Sequence, residues 1–487
     1  MEKDSPHILV INPWIYDFAA YDFWAKPIGL LTIASILRLH GYQVSYIDCL
    51  DRYHPDVSHP EKAGRFGKGH YLKRRIPKPE KLHDVPRNYS RYGIPESLVR
   101  KTINNIPKPK VVLVTSLMTY WYPGIVAVIE LVREMLPEVP VVLGGIYASL
   151  CYDHAVQHTG ADMVLSGQCE AGLLELLENL TEYTCTCRFS ADELDTYPYP
   201  AFDLQSAIPY VPILTGHGCP FRCAYCASWF LSPELRRRSP QHVVEEIAYW
   251  HEKYSVLDFA FYDDALLIDA DRHIIPILEG VLTQGLEVRF HTPNALHIRP
   301  LSREVARLMF RSGFRTIRLG LELQQRAHSP SRSGGTAGLA SESKNGKLSY
   351  SRRFPAASCR ELQTAFFDGR KAMDNKVGPG EFEQAVDYLR KAGFKNEAIG
   401  TYLLCGLPGQ DLAELEASIK VVKACGARPI LAQYSPIPHT ALWSAAVSAS
   451  RYDLDSDPIF HNNSIFPCQK EPFSWEQISY LKKLTGD

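Results

Sequence analysis

The sequence predicts an α/β protein made of two successive units: a doubly wound, Rossmann-like parallel sheet and then a partial six-stranded (β/α)6 barrel. In both halves of the chain, apolar strand candidates alternate with helical stretches, a pattern that favours parallel sheets. A segment rich in proline, 188–210, separates the halves and has the composition of a linker. A length of 487 residues allows two or three domains.

The first unit, residues 1–187, carries five strand candidates and two clear helical stretches. The strands are predicted at 7–12, 43–48, 111–116, 139–143 and 161–166, and the helices at 29–39 and 124–135. A polar, basic insertion, 52–105, interrupts this series. Two interpretations of it stay open, a solvated surface loop and a lid or clamp over the substrate.

The second unit, residues 211–440, carries six strand candidates with room for a helix after each. They are predicted at 211–216, 257–262, 286–291, 315–321, 398–404 and 430–435. A segment rich in serine and glycine, 326–360, lacks periodicity and is interpreted as a flexible insertion. Removing it leaves a length that suits six strand–helix units. A tail, 441–487, follows, and its predicted helix at 473–484 is interpreted as a cover for the barrel.

The composition narrows the class of protein. Lysine and arginine total 53 and aspartate and glutamate total 54, so the net charge is close to zero. This balance does not predict a large basic face for nucleic-acid binding. No apolar run reaches the ~18 residues of a membrane span, and the amino terminus lacks the pattern of a signal peptide. The 12 cysteines are not spaced as a disulfide framework. We therefore expect a cytoplasmic protein.

The most informative segment is the run GCPFRCAYCA, which holds Cys219, Cys223 and Cys226. Three thiolates this close suit three irons of a cubane cluster, whereas a closed cubane takes four. The triplet directly follows the first barrel strand, and active groups of barrels lie at the carboxyl ends of strands. The alternative is a structural zinc site with His217 or a distant cysteine as the fourth ligand.

The run GCPFRCAYC resembles the cluster motif of the radical S-adenosylmethionine superfamily. Segments 261–265, 319–322, 406–409 and 433–438 are also similar to strand ends of that superfamily, in enzymes that carry an N-terminal cobalamin-binding-type domain. The resemblance implies a 4Fe-4S cluster on the three cysteines, with S-adenosylmethionine on the fourth iron. One electron, from a partner such as flavodoxin or ferredoxin, would then give a 5′-deoxyadenosyl radical that takes hydrogen from a substrate.

The resemblance also assigns residues to S-adenosylmethionine. Tyr225 matches the position beside adenine, and Asp263 and Asp264 match the groups near the methionine amino group. The remaining residues that it assigns are Glu322, Gly406 and Gly409. Each has an ordinary structural alternative: a helix cap for the aspartates, an ion pair for the glutamate, and a turn without a ligand for the glycines.

In the first unit, the run VVLGGIYAS at 141–149 resembles the Gly-Gly strand end of cobalamin-binding domains. The residues assigned to cobalamin are Ser116, Gly144, Gly145 and Ser149. The D-x-H-x-x-G loop of many such domains is absent, because the chain reads NPWIYD at 12–17, so no histidine ligand to cobalt is predicted. Cobalamin binding and a scaffold that caps the barrel mouth both stay open.

These features predict a radical S-adenosylmethionine enzyme acting on a small molecule or another substrate that the sequence does not identify. With cobalamin, methyl transfer to a carbon atom is expected. Without it, rearrangement, thiolation or oxidation are the alternatives. A rival from another class is a regulatory protein that binds a cluster or zinc and has no turnover.

Overall fold

The computed structural model describes residues 5–57, 64–168, 170–184, 189–321, 377–378, 380–469 and 475–486. The predicted insertion at 326–360 lies outside these residues. No helix in this described part is long and apolar enough to cross a membrane.

The first unit contains a five-stranded parallel sheet with helices on both faces, which confirms the predicted doubly wound fold. Its strands and those of a smaller sheet are β1 (His7–Asn12), β2 (Ile15–Asp17), β3 (Gln43–Asp48), β4 (Lys73–Arg75), β5 (Ser90–Tyr92), β6 (Val111–Val114), β7 (Val141–Leu143) and β8 (Met163–Val164). The helices are α1 (Ile28–Leu39), α2 (Glu96–Asn105), α3 (Tyr122–Met135), α4 (Ile146–Leu150), α5 (Tyr152–His158) and α6 (Glu170–Thr181).

The parallel sheet has the strand order β3-β1-β6-β7-β8. Alternate side chains of β1 enter two different cores: Leu9 packs with the α2 and α3 side, and Ile8 packs with the α1 and α6 side. The order reverses between β1 and β6. In open parallel sheets, ligands bind in the crevice at the carboxyl ends of the strands beside such a reversal.

The basic insertion at 52–105 is not a solvated loop in its described part, so that interpretation is wrong. It supplies β4 and β5, which form an antiparallel sheet with β2 in the order β2-β5-β4, and it supplies α2, which packs against α3. Leu82 and Tyr89 are buried. The sequence did not predict this small sheet. Its edge strand β4 (Lys73–Arg75) is exposed and made only of charged residues, so it shows no apolar pattern.

The second unit contains six parallel strands in one sheet, as predicted. Its elements are β9 (Val211–Ile213), β10 (Gly216–His217), α7 (Ser228–Leu231), β11 (Arg236–Arg237), α8 (Pro240–Tyr254), β12 (Asp258–Phe261), α9 (Ile274–Thr283), β13 (Arg289–His291), α10 (Arg303–Arg311), β14 (Phe314–Gly320), α11 (Glu381–Ala392), β15 (Ile399–Cys405), α12 (Leu412–Ala424) and β16 (Arg428–Gln433). The order β9-β12-β13-β14-β15-β16 follows the chain and leaves β9 and β16 as edges, so the barrel is partial. The first predicted strand, 211–216, ends early, because Gly216 pairs with β11 instead.

The tail adds two helices, α13 (Trp443–Ala449) and α14 (Trp475–Thr485). Helix α14 packs against α12 and β16, so it lies on the barrel as expected. The stretch before it packs elsewhere: Ile459 and Phe460 share a core cluster with Leu82 and Tyr89 of the insertion. The tail therefore joins the insertion to the barrel.

A segment of the first unit enters the barrel. Phe259 of β12 belongs to the core between strands and helices, so its neighbour Ala260 faces the inner side of the sheet. Trp24 packs there against Ala260 and stacks on His291, with ring centroids 4.5 Å apart. Leu31 of α1 also joins the main barrel core. The two units therefore share packed interior.

Candidate functional site

The three cysteines lie in the loop between β10 and α7. The loop begins at Gly218, whose φ of +83° suits glycine, and a Cβ atom there would lie 2.2 Å from the Glu234 carbonyl oxygen. Cys223 is buried, Cys219 and Cys226 are half-buried, and none of the three forms a disulfide.

The loop forms one wall of a cavity of about 280 Å³. All three cysteines line it. The other walls come from residues after β12 and β13, from Gly320 at the end of β14, and from Tyr402 of β15. The cavity therefore opens where barrel strands end, which is the usual place for catalytic groups in barrels.

The thiols share this cavity without converging on one point. In the described ranges, no three side chains of histidine, cysteine, aspartate or glutamate are grouped as ligands of a single metal ion. Three thiolates that each hold a different iron of a cubane do not need such convergence. His217, the proposed zinc partner, lines a separate small cavity with Arg238 and Glu246, and burial lowers its pKa to about 4.

Two of the residues assigned to S-adenosylmethionine, Tyr225 and Asp264, line the three-cysteine cavity. Asp264 accepts a hydrogen bond of 2.8 Å from the Ser228 hydroxyl. The Ser228 backbone N–H lies 3.4 Å from the Cys226 sulfur and donates to it. The Cys226 thiol also donates to the Ser228 hydroxyl oxygen at 3.2 Å, so a chain of hydrogen bonds connects this thiol to the exposed carboxylate.

Asp263, next to Asp264, does not line this cavity. Its buried carboxylate accepts hydrogen bonds from the Thr215 hydroxyl at 2.6 Å and the Thr215 backbone N–H at 3.1 Å. The same hydroxyl lies 2.6 Å from Nε2 of His273. Burial raises the pKa of Asp263 to about 6 and lowers that of His273 to about 4. The side chain ties the end of β9 to the end of β12.

Gly406 and Gly409 are also not among the residues that line the three-cysteine cavity. The Gly406 N–H donates to the Gln410 side-chain oxygen at 2.7 Å, and a Cβ atom on Gly406 would lie 2.9 Å from the Phe466 ring. The tail thus covers this turn. Glu322 lies outside the described residues.

Sequence reasoning missed several residues of the cavity wall, among them Asn294, His297 and Tyr402. The Asn294 amide donates to the Tyr262 carbonyl oxygen at 2.6 Å, and the Tyr402 hydroxyl donates to the Pro293 carbonyl oxygen at 2.9 Å. The position of the 293–298 segment directly after β13 was the signal that could have found Asn294 and His297, whereas Tyr402 lies within β15 and has no such signal.

A second cavity, of about 430 Å³, lies at the strand-order reversal of the first unit. We call it the inner cavity. Its lining is mostly apolar and includes residues after β1, β6 and β7 together with residues of the barrel. The aromatic members are Trp14, Phe23, Trp24, Tyr71, Trp121 and Tyr262. Pro293 and Asn294 line both the inner cavity and the three-cysteine cavity, so a single loop separates the two.

Ser116 and Gly145, which the resemblance assigns to cobalamin, line the inner cavity, whereas Gly144 and Ser149 do not. Gly145 has φ +97° and ψ −166°, and a Cβ atom there would lie 2.4 Å from the Ser116 carbonyl oxygen. The Ser116 hydroxyl donates to the Gly144 carbonyl oxygen at 2.6 Å. Ser149 accepts from Gly167 N–H at 2.9 Å. The first bond joins the loops that follow β6 and β7, and the second joins α4 to the segment that follows β8.

Each of the two units matches a known protein family. A family model described as the B12 binding domain matches residues 83–177, and one described as the Radical SAM superfamily matches residues 213–325. The chain is a radical S-adenosylmethionine enzyme with an N-terminal cobalamin-binding-type domain.

Relatives of this radical S-adenosylmethionine enzyme include methyltransferases. An uncharacterized methyltransferase of Pyrococcus horikoshii is 24% identical over 73% of this chain and 74% of its own length. Cytidylyl-2-hydroxyethylphosphonate methyltransferase of Streptomyces wedmorensis is 22% identical over 76% of this chain and 74% of its own length.

The fold of the radical S-adenosylmethionine enzyme is also found in a solved structure. The radical S-adenosylmethionine methyltransferase TsrM from Kitasatospora setae, solved with cobalamin and a [4Fe-4S] cluster, superposes with a TM-score of 0.61 at 15% identity. The match covers 91% of this chain and 78% of that one. It shows that both units and their order are shared.

Proposed function

We propose that this enzyme is a cobalamin-dependent methyltransferase that methylates a carbon atom of a small molecule. The observation that carries the proposal is the shared wall between the two cavities. Pro293 and Asn294 contact both spaces, so a substrate at this loop lies beside the thiol loop on one side and the first unit's crevice on the other. The related methyltransferases support the same reaction class.

The residues of the three-cysteine cavity fit a 4Fe-4S cluster with one iron left for S-adenosylmethionine. Cys219, Cys223 and Cys226 would each hold one iron. Asp264 would accept a hydrogen bond from the methionine amino group, and Tyr225 would lie against adenine. The Ser228 N–H stays close enough to donate to the Cys226 sulfur, and hydrogen bonds to sulfur are one determinant of a cluster's reduction potential.

The residues of the inner cavity fit a flat apolar ligand such as the corrin face. Gly145 is exposed and, because it has no Cβ, packs closely against the Ser116 backbone, while Leu117 and Ile146 are 44% and 36% exposed there. Among the described residues that line this cavity there is no histidine. Cobalamin would therefore be held by shape and backbone contacts from these loops, without an imidazole ligand from the lining.

When bound, the cluster and S-adenosylmethionine supply a 5′-deoxyadenosyl radical, and methylcobalamin supplies the methyl group. The chain itself orients the substrate and excludes water. Trp14, Trp24 and Trp121 make the inner cavity mostly apolar, which suits a reaction that water would quench. We also propose a cytoplasmic location and an electron donor such as flavodoxin or ferredoxin.

Anaerobic reconstitution tests the proposal. The cluster-loaded chain, given hydroxocobalamin, dithionite and S-adenosylmethionine, is expected to retain cobalamin through gel filtration and to release 5′-deoxyadenosine. Cys223→Ala should abolish that release. Its matched control is Cys405→Ala, which removes an equally buried free thiol outside the three-cysteine cavity and should keep it.

Three outcomes separate the candidates. Cleavage with no cobalamin retained would leave a cobalamin-free radical enzyme. Cobalamin retained with no cleavage by the cluster-loaded chain would contradict the radical assignment. If Cys223→Ala keeps both the cluster and the cleavage of S-adenosylmethionine, Cys223 is not a ligand of the cluster.

A further inference from the structure

An open groove of about 890 Å³ lies on the small antiparallel sheet, outside both cavities described above. We call it the basic groove. Four cationic side chains line it, Lys73, Arg75, Lys78 and Arg87, and the described residues of its wall include no aspartate or glutamate. Like charges around a concave surface add their fields and attract anions.

Two of the three cations of β4, Lys73 and Arg75, line the basic groove. Lys73 and Arg75 are exposed and form no ion pair with a described residue. The other two are held by the fold: Lys78 donates to the Val85 carbonyl oxygen, and the half-buried Arg87 lies near the buried Asp17. The groove thus combines two fixed cations with two unneutralised ones.

The register of the small sheet connects the groove to the inner cavity. Directly paired residues share one face of a sheet, and Ile15, Tyr92 and Lys73 are paired in a row across β2, β5 and β4. Ile15 lines the inner cavity, and Tyr92 and Lys73 line the groove. Two strand spacings of about 4.8 Å place Lys73 about 10 Å from the cavity wall, and Arg75 follows two residues later on the same face of β4.

We propose that the basic groove binds a phosphate or diphosphate group at one end of the substrate, while the rest of the substrate reaches the inner cavity. The proposal rests on the proposed function, because it takes the reacting end of the substrate to lie at the Pro293–Asn294 wall of the inner cavity. Guanidinium and ammonium groups bind phosphate oxygens through charge-assisted hydrogen bonds. Tyr89 and Tyr92 add aromatic surface beside the cations, which suits a nucleotide or another flat group next to the phosphate.

Strand alternation provides a matched control. Arg74 is exposed, like Arg75, and carries the same charge, but it pairs with Arg91 on the opposite face of the sheet and does not line the groove. Arg75→Ala and Arg74→Ala therefore change net charge equally at adjacent positions. Both are surface substitutions, so both variants should keep the thermal midpoint of the native chain.

The experiment is isothermal titration of inorganic pyrophosphate into the cluster-loaded full-length chain at fixed ionic strength. We expect the native chain to bind and Arg75→Ala to weaken binding at least about fivefold, since a charge-assisted hydrogen bond is lost. Arg74→Ala should change it less than about twofold. Equal weakening by both variants would show that bulk charge alone is measured and would overturn the proposal.

Three further outcomes are decisive. A native chain that cleaves S-adenosylmethionine but does not bind pyrophosphate overturns the groove proposal and leaves the proposed function standing. A chain that binds pyrophosphate through Arg75 but shows no cleavage supports the groove and contradicts the proposed function. If Arg75→Ala slows cluster reduction by purified flavodoxin without changing pyrophosphate affinity, the groove docks an acidic protein and the proposal is wrong.

Discussion

Replacing Gly145 by alanine should destabilise the crevice of the first unit, and its neighbour Gly144 provides the control. Gly145 has φ +97° and ψ −166°, a conformation nearly restricted to glycine that costs other residues about 1–3 kcal/mol. The new Cβ would lie 2.4 Å from the Ser116 carbonyl oxygen and 2.8 Å from its nitrogen. Both are backbone atoms, so a loop must move, at a further cost of about 1–3 kcal/mol.

The sum predicts that Gly145→Ala lowers the free energy of unfolding by about 4 kcal/mol. A Cβ on Gly144 would meet nothing within 4 Å, so Gly144→Ala should stay within about 1 kcal/mol of the native chain. Urea unfolding followed by circular dichroism measures both, and the difference between the two variants is the quantity to compare. If the variants differ by less than about 1 kcal/mol, the close approach of Gly145 to Ser116 does not constrain this loop.

Three other perturbations have defined outcomes. Arg52→Ala leaves the buried Asp22 without its ion pair of 2.8 Å, so urea unfolding should show a loss of about 3–5 kcal/mol. Asp263→Asn removes a carboxyl whose folded pKa of about 6 lies above its unfolded value of about 3.9. That carboxyl stabilises the native chain at low pH and stops doing so as pH rises through 6, so native stability relative to the variant should fall by about 1.4 kcal/mol from pH 5 to pH 7.5; a constant difference would contradict this. Asp264→Asn should raise the KM for S-adenosylmethionine about tenfold or more and leave the cluster absorption unchanged, whereas loss of the cluster would mean that Asp264 is structural.

The sequence predicted the parts of the site that depend on local spacing. The cysteine triplet and its place after the first barrel strand follow from ten consecutive residues, and all three thiols line one cavity. The two large parallel sheets were predicted because buried parallel strands are apolar runs. Tyr225 and Asp264 were assigned by the resemblance to the radical S-adenosylmethionine superfamily, and both line this cavity.

The remaining predictions depend on contacts between distant parts of the chain. Asp263 turns away from the cavity because the Thr215 hydroxyl and backbone N–H donate to its carboxylate, and nothing near Asp263 in sequence reveals Thr215 or the His273 ring beside that hydroxyl. The turn at Gly406 is covered by Phe466, 60 residues later in the chain. The strand Lys73–Arg75 lacks apolar residues, so its pairing with β5 is visible only in the structure.

Because Trp24 enters the barrel, the two domains of this enzyme cannot simply be expressed separately or exchanged. Trp24 stacks on His291 and contacts Ala260, while Leu31 fills part of the main barrel core. A barrel expressed alone would expose the surfaces that these side chains cover, and we expect it to aggregate. The two domains are therefore not interchangeable modules: a chimera with the N-terminal domain of a relative must bring its own barrel, or keep the segment from Trp24 to Leu31 with the barrel it fits.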